Sequence, residues 1–82
     1  MSTITKEKVI QATLSNTVDM DIIIEYCNEV GGDSEAIQEL IPVIIYFSDL
    51  LDYCYSVALD YFHRKYEVVL CYSKEGKLIT AY

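Results

Sequence analysis

The sequence predicts a mainly α-helical fold, a small bundle of three to four helices with a C-terminal β-hairpin. Apolar residues recur at helical spacing through about residue 66, whereas the segment after it is rich in β-branched and aromatic residues around a turn. The chain has 82 residues, of which 52% are hydrophobic, three are glycine and one is proline. This length and composition are typical of a single folded domain spanning residues 1–82.

A first helix is predicted at about residues 5–15, because Val9, Ile10 and Leu14 follow a threonine cap at helical spacing and the pattern stops at Asn16. A second helix is predicted at about residues 18–30, with Thr17 or Asp19 as its cap. Its apolar face consists of Ile22, Ile23, Tyr26, Cys27 and Val30. The Gly31-Gly32 pair ends it, because glycine adopts the left-handed conformation of a helix stop.

Two further helices are predicted at about residues 34–41 and 43–66. Pro42 lacks a backbone donor, so it either kinks one long helix or separates two. The polar residues of the last helix recur at three- and four-residue steps and therefore form one narrow stripe. They are Asp49, Asp52, Ser56, Asp60 and His63, the last of which we place at the surface end of the helix.

The last segment, about residues 67–82, is predicted to form the hairpin, with its turn at residues 74–77. A two-stranded hairpin is barely stable alone, so it must pack on the helices or add to a partner's sheet. The wide apolar arc of the last helix exceeds what so short a chain can cover. We therefore expect a homodimer.

Charge is distributed unevenly along the chain. Thirteen acidic residues oppose six basic ones, for a formal charge of −7, and no lysine or arginine occurs between Lys8 and Arg64. This pattern disfavours direct contact with nucleic acid and favours a basic protein surface as partner. The predicted contact residues are Asp21, Glu25, Glu29, Glu35, Glu39, Asp49, Asp52 and Asp60. Tyr46, Tyr53, Tyr55, Tyr61 and Tyr66 lie near the acids, and any of them that is exposed would stack on arginine.

The residue types that carry catalysis are sparse, and we expect no enzymatic activity. His63 is the only histidine, and no nucleophile is spaced to use it. Asp49 and Asp52 lie one turn apart but lack a third metal ligand, so we expect no metal and no cofactor. The cysteines Cys27, Cys54 and Cys71 contain no Cys-x-x-Cys pair and are interpreted as small buried hydrophobic residues.

Two resemblances suggest functions. The segment Gly31-Gly32-Asp33-Ser34, followed by Glu35-Ala36-Ile37-Gln38-Glu39-Leu40, resembles the region around the prosthetic serine of acyl carrier proteins, which implies phosphopantetheine on Ser34. An acidic Glu35 and a C-terminal hairpin depart from that family, and Asp33 or Ser34 as an ordinary N-cap is the commoner arrangement and needs no cofactor.

In overall character, the short, acidic, tyrosine-rich chain resembles phage-encoded anti-CRISPR proteins, several of which mimic nucleic acid. This resemblance implies an inhibitor that occupies the basic nucleic-acid channel of a host nuclease complex, in the cytoplasm of a bacterial host. A carrier protein using Ser34 is the alternative. A third interpretation is an antitoxin or immunity protein for a basic toxin, which rests on the same charge pattern.

Overall fold

The structure is a computed structural model of the protein and describes residues 4–31 and 48–82. These residues form α1 (Lys6–Ser15), α2 (Met20–Glu29), α3 (Ser48–Lys65), β1 (Leu70–Tyr72) and β2 (Leu78–Ala81). The predicted mainly helical fold with a C-terminal hairpin is therefore confirmed. The predicted helix at residues 34–41 and the conformation at Pro42 lie outside the described residues, so the number of helices in the bundle stays a prediction.

The ends of α1 and α2 are fixed by local hydrogen bonds. The Thr5 hydroxyl accepts a bond from the backbone N–H of Lys8 at 3.3 Å, and Asn16 ends α1 in the left-handed conformation with φ 53°. Of the two residues predicted to cap α2, Asp19 is the N-cap. Its carboxylate accepts a hydrogen bond from the backbone N–H of Asp21 at 2.9 Å. Gly31 follows α2 with φ 84°, as the predicted helix stop requires.

The core lies where α3 packs against α1 and α2. Its buried residues are Ile4, Val9, Ala12, Ile22, Ile23, Tyr55, Ala58 and Phe62. Two residues predicted to face inward are exposed instead: Leu14 is 46% exposed and Val30 is 51% exposed. Leu14 lies about 140° from Val9 around the helix, and Val30 lies just beyond the last residue of α2.

The hairpin is antiparallel and pairs Leu70 with Ala81 and Cys71 with Thr80. A bulge then shifts the register, so that Tyr72 pairs with Leu78. The turn closes with bonds from the N–H of Ser73 to the carbonyl of Lys77 (2.7 Å) and from the N–H of Gly76 to the carbonyl of Ser73 (3.0 Å). β2 packs against α1, so the hairpin rests on the helices, as one of its two predicted arrangements requires.

Candidate partner-binding surface

Three predicted contact residues, Asp49, Asp52 and Asp60, are exposed along α3, and we call them the α3 acidic row. Their Cα atoms span about 16 Å along the helix axis at 1.5 Å per residue. Ser56 lies between them and is also exposed. Beside the row, the Tyr53 side chain is 68% exposed. The row therefore presents three carboxylates, a hydroxyl and an aromatic ring to the solvent.

Two predicted contact residues on α2 have counter-charges from the ends of the chain. Lys8 Nζ on α1 lies 3.2 Å from the Asp21 carboxylate and 4.0 Å from that of Asp19. Lys65 on α3 pairs with Glu29. The two pairs join residues that are 13 and 36 positions apart, so folding supplies counter-charges that the charge distribution along the chain does not indicate.

The Glu29 carboxylate is the centre of a small polar cluster between α2 and α3. Its side chain is only 16% exposed and accepts a hydrogen bond from Lys65 Nζ. Glu29 also raises the pKa of the Tyr61 hydroxyl, chiefly through a hydrogen bond, with burial as a second cause. The same hydrogen-bonded carboxylate raises the pKa of Lys65. Glu29 therefore links α2 to α3 through Lys65, while its second carboxylate oxygen, Oε2, is buried without a hydrogen-bond partner among the described residues.

The other predicted site residues divide into two groups. Glu25 is described and lies half-buried on α2. Glu35, Glu39 and the alternative carrier residue Ser34 lie outside the described residues. Of the eight predicted contact residues, the structure thus places three in one exposed row and two in ion pairs.

Most of the tyrosines near the acids stabilise the fold. The Tyr55 hydroxyl is buried and donates to the Ala12 carbonyl at 3.2 Å, while the Tyr66 hydroxyl donates to the Ile4 carbonyl at 2.9 Å. Tyr61 makes an edge-to-face contact with Tyr26, with ring centroids 5.2 Å apart. Tyr53 is the exposed member of the predicted set within the described residues, and Tyr46 lies outside them.

The interpretation of His63 as a surface residue was wrong. The ring is half-buried, and its Nε2 lies 2.7 Å from the Thr13 hydroxyl oxygen on α1. Burial lowers the pKa of His63, and the nearby charge of Asp60 opposes this shift. His63 therefore connects α3 to α1. The exposed polar stripe of α3 consists of the other four predicted residues, Asp49, Asp52, Ser56 and Asp60.

Cationic side chains border the α3 acidic row at one end. Arg64 is exposed and follows Asp60 by four positions, one helical turn toward the end of α3. The ion pairs of the described residues involve Lys8 and Lys65 but neither Arg64 nor any member of the row. The three carboxylates of the row are therefore available to an external cation.

Two observations on the described residues concern metal ligands and cysteines. Within residues 4–31 and 48–82, no group of three or more histidine, cysteine or acidic side chains is arranged to hold a metal ion. Cys27, Cys54 and Cys71 are free and half-buried, whereas they were interpreted from the sequence as buried. Among the helices that the structure describes, none is long and apolar enough to cross a membrane.

The fold and this surface define a small helical protein with a C-terminal hairpin and an exposed acidic row. Comparisons with protein-family models, curated proteins and solved structures give no match.

Proposed function

We propose that this chain is a small acidic binding protein that docks on a basic, nucleic-acid-binding surface of a host protein and blocks it by competition. A CRISPR–Cas nuclease complex in the bacterial cytoplasm is an example of such a target. The observation that carries this proposal is the α3 acidic row, whose three carboxylates are exposed and, among the described residues, unpaired, beside the exposed ring of Tyr53.

The chemistry of the row fits a groove lined with lysine and arginine. Each carboxylate accepts charge-assisted hydrogen bonds, and arginine binds carboxylates in a bidentate way. The ring of Tyr53 supplies a face on which a guanidinium group stacks. Asp49 and Asp52 lie about 4.5 Å apart along the helix axis, close to the 3.4 Å axial rise between phosphates of one nucleic-acid strand.

The ion pairs of α2 narrow the proposed contact surface to α3. To bind at α2, a cation of the target would have to displace Lys8 from Asp21 or Lys65 from Glu29. The net binding free energy would then be only the difference between the new ion pair and the one that it replaces. The α3 acidic row requires no such exchange. Binding in this proposal is a competition for the target's cations and involves no catalytic step.

Charge reversal tests the proposal. The double variant Asp52→Lys and Asp60→Lys changes the net charge by +4 within the row. The control Glu67→Lys and Glu75→Lys makes the same change at exposed positions outside α3. Reversal at Glu29 is unsuitable, because it would also break the pair with Lys65.

The measurement is capture of proteins from a bacterial lysate by each immobilised variant, with and without duplex DNA as competitor. We expect the wild type and the control to retain a nucleic-acid-binding complex that DNA displaces, and the row variant to lose it. Retention by the row variant would contradict the proposed contact. Recovery of a small basic toxin would instead establish the antitoxin interpretation.

A further inference from the structure

The hairpin has one edge that the described elements leave open. Val69 and Tyr82 exchange both of their backbone hydrogen bonds, at 2.8 and 3.1 Å. In an antiparallel ladder the next pair, Leu70 and Ala81, therefore directs its N–H and C=O groups away from the partner strand. Since β2 packs against α1, β1 forms the outer edge of the sheet.

This edge is short, but it lacks the charged side chains and the proline by which many proteins protect an edge strand. Residues 68–72 read Val-Val-Leu-Cys-Tyr and contain neither a charge nor a proline. The Val69 side chain is 46% exposed and that of Tyr72 is 57% exposed. An exposed apolar edge strand without such protection is a template for pairing with another strand.

We propose that β1 of a second copy of this chain occupies the edge, so that two hairpins form one four-stranded antiparallel sheet. The two-fold axis passes through Leu70, which pairs with Leu70 of the second copy. Val68 then lies opposite Tyr72 of the second copy, where its carbonyl can accept from the Tyr72 N–H while its own N–H stays bonded to the His63 carbonyl at 2.8 Å, and Val69 lies opposite Cys71 of that copy. This register pairs each residue of the apolar segment with another apolar residue of the same segment.

The residues that flank the apolar segment do not oppose this register. Glu67 precedes the segment and lies opposite Ser73 of the second copy, so the antiparallel arrangement sets no two acidic residues against each other. The four basic residues that follow Lys8, namely Arg64, Lys65, Lys74 and Lys77, all lie in this part of the chain. The interface thus avoids the acidic surfaces, and both α3 acidic rows stay accessible.

Light scattering across a dilution series tests the assembly. We expect the wild type to reach twice the 9.4 kDa mass of one chain. The variant Val69→Lys and Tyr72→Lys should lose the dimer, while Val30→Lys and Tyr53→Lys should retain it, because these positions are also exposed and the charge change is equal. Circular dichroism verifies that each variant is folded. A monomeric wild type, or a dimer that survives in the β1 variant, would overturn the proposal.

Cross-linking tests the register. Val69→Cys places a thiol opposite Cys71 of the second copy in a non-hydrogen-bonded pair, where the Cα atoms lie about 4.5 Å apart and a disulfide can form. With oxidised glutathione, we expect a covalent dimer whose peptide mass shows the 69–71 link between two chains. The control Ser56→Cys, exposed on α3, should give no specific link. A wild-type Cys71–Cys71 link, or no link in Val69→Cys, would overturn this register.

Discussion

The Nε2 atom of His63 lies 2.7 Å from the Thr13 hydroxyl oxygen, which joins the last turn of α3 to α1 across 50 positions of sequence. The Thr13 hydroxyl also donates to the Val9 carbonyl at 2.8 Å, so its single proton is used there. The Thr13 oxygen must then accept a hydrogen bond from His63. The neutral ring therefore carries its proton on Nε2.

Removing this acceptor should destabilise the protein. Thr13→Val preserves the shape of the side chain but leaves the half-buried Nε2–H of His63 without its acceptor, at a cost of about 1–3 kcal/mol in the free energy of unfolding. Urea denaturation measures the change. Thr80→Val is the control, because Thr80 is exposed and its hydroxyl makes none of the described hydrogen bonds; we expect less than about 0.5 kcal/mol there. Equal losses in both variants would contradict the assigned bond.

Stability should fall as the solution becomes acidic through the titration of His63. Burial lowers the pKa of the folded-state ring below its ordinary value of 6.5, so between the two pKa values the unfolded chain binds more protons than the folded one. The contribution of His63 to the free energy of unfolding is therefore complete above about pH 6.5, and it is lost as the pH falls through the pKa of the folded state. Urea denaturation at a series of pH values measures this decline.

His63→Gln keeps a neutral side-chain donor without titration. We expect the free energy of unfolding of this variant to change less between pH 7 and 5.5 than that of the wild type, in line with the sign of the His63 shift. An equal decline in both proteins would show that other groups cause it.

Local signals account for much of the fold. The caps at Thr5 and Asp19, the left-handed Asn16, and the turn glycine Gly76 are all properties of short segments, so the sequence alone indicates them. Leu14 was misjudged, because an isolated pattern of apolar residues does not show which side of α1 meets its neighbours. Ala12 takes the buried position there, and a small residue carries little hydrophobic signal.

The site was less predictable, because it depends on which charges meet in three dimensions. Nothing in the spacing of Lys8 and Asp21, or of Glu29 and Lys65, indicates their pairing before the helices are packed. The polar stripe of α3, by contrast, follows from helical periodicity alone, and Asp49, Asp52 and Asp60 are exposed as that periodicity predicts.

The Glu29 cluster should be detectable through Tyr61. Glu29→Gln replaces the carboxylate whose hydrogen bond and charge raise the pKa of Tyr61, so that pKa should move down toward its ordinary value near 10. NMR of the Tyr61 ring carbon during an alkaline titration measures the shift. Tyr72 serves as the control within the same spectra, because it lies on β1, away from the cluster. A Tyr61 titration unchanged by the substitution would contradict the contact.

Two left-handed positions should respond differently to substitution. Gly76 has φ 82° in the hairpin turn, and although no atom would obstruct a Cβ there, alanine is strained in this conformation. We expect Gly76→Ala to lower the free energy of unfolding by about 1 kcal/mol. Asn16→Gly should change it by less than about 0.5 kcal/mol, since asparagine already tolerates the φ of 53° at the end of α1. Thermal denaturation compares the two variants, and a larger loss in Asn16→Gly would contradict this account.

Phe62 should be the most sensitive position of α3. It is fully buried, contacts the ring of Tyr61 edge-to-face and stacks on that of Tyr66. Phe62→Ala removes these contacts and leaves a cavity, which costs about 3–5 kcal/mol. The total stability expected for a chain of this size is about 4–12 kcal/mol, so the variant should lose at least about a quarter of it. Tyr53 lies on the exposed side of the same helix, so Tyr53→Ala should lower the free energy of unfolding by no more than about 0.5 kcal/mol, the usual effect of a surface substitution. Urea denaturation followed by circular dichroism distinguishes the two, and a similar loss in both variants would place the core of α3 elsewhere.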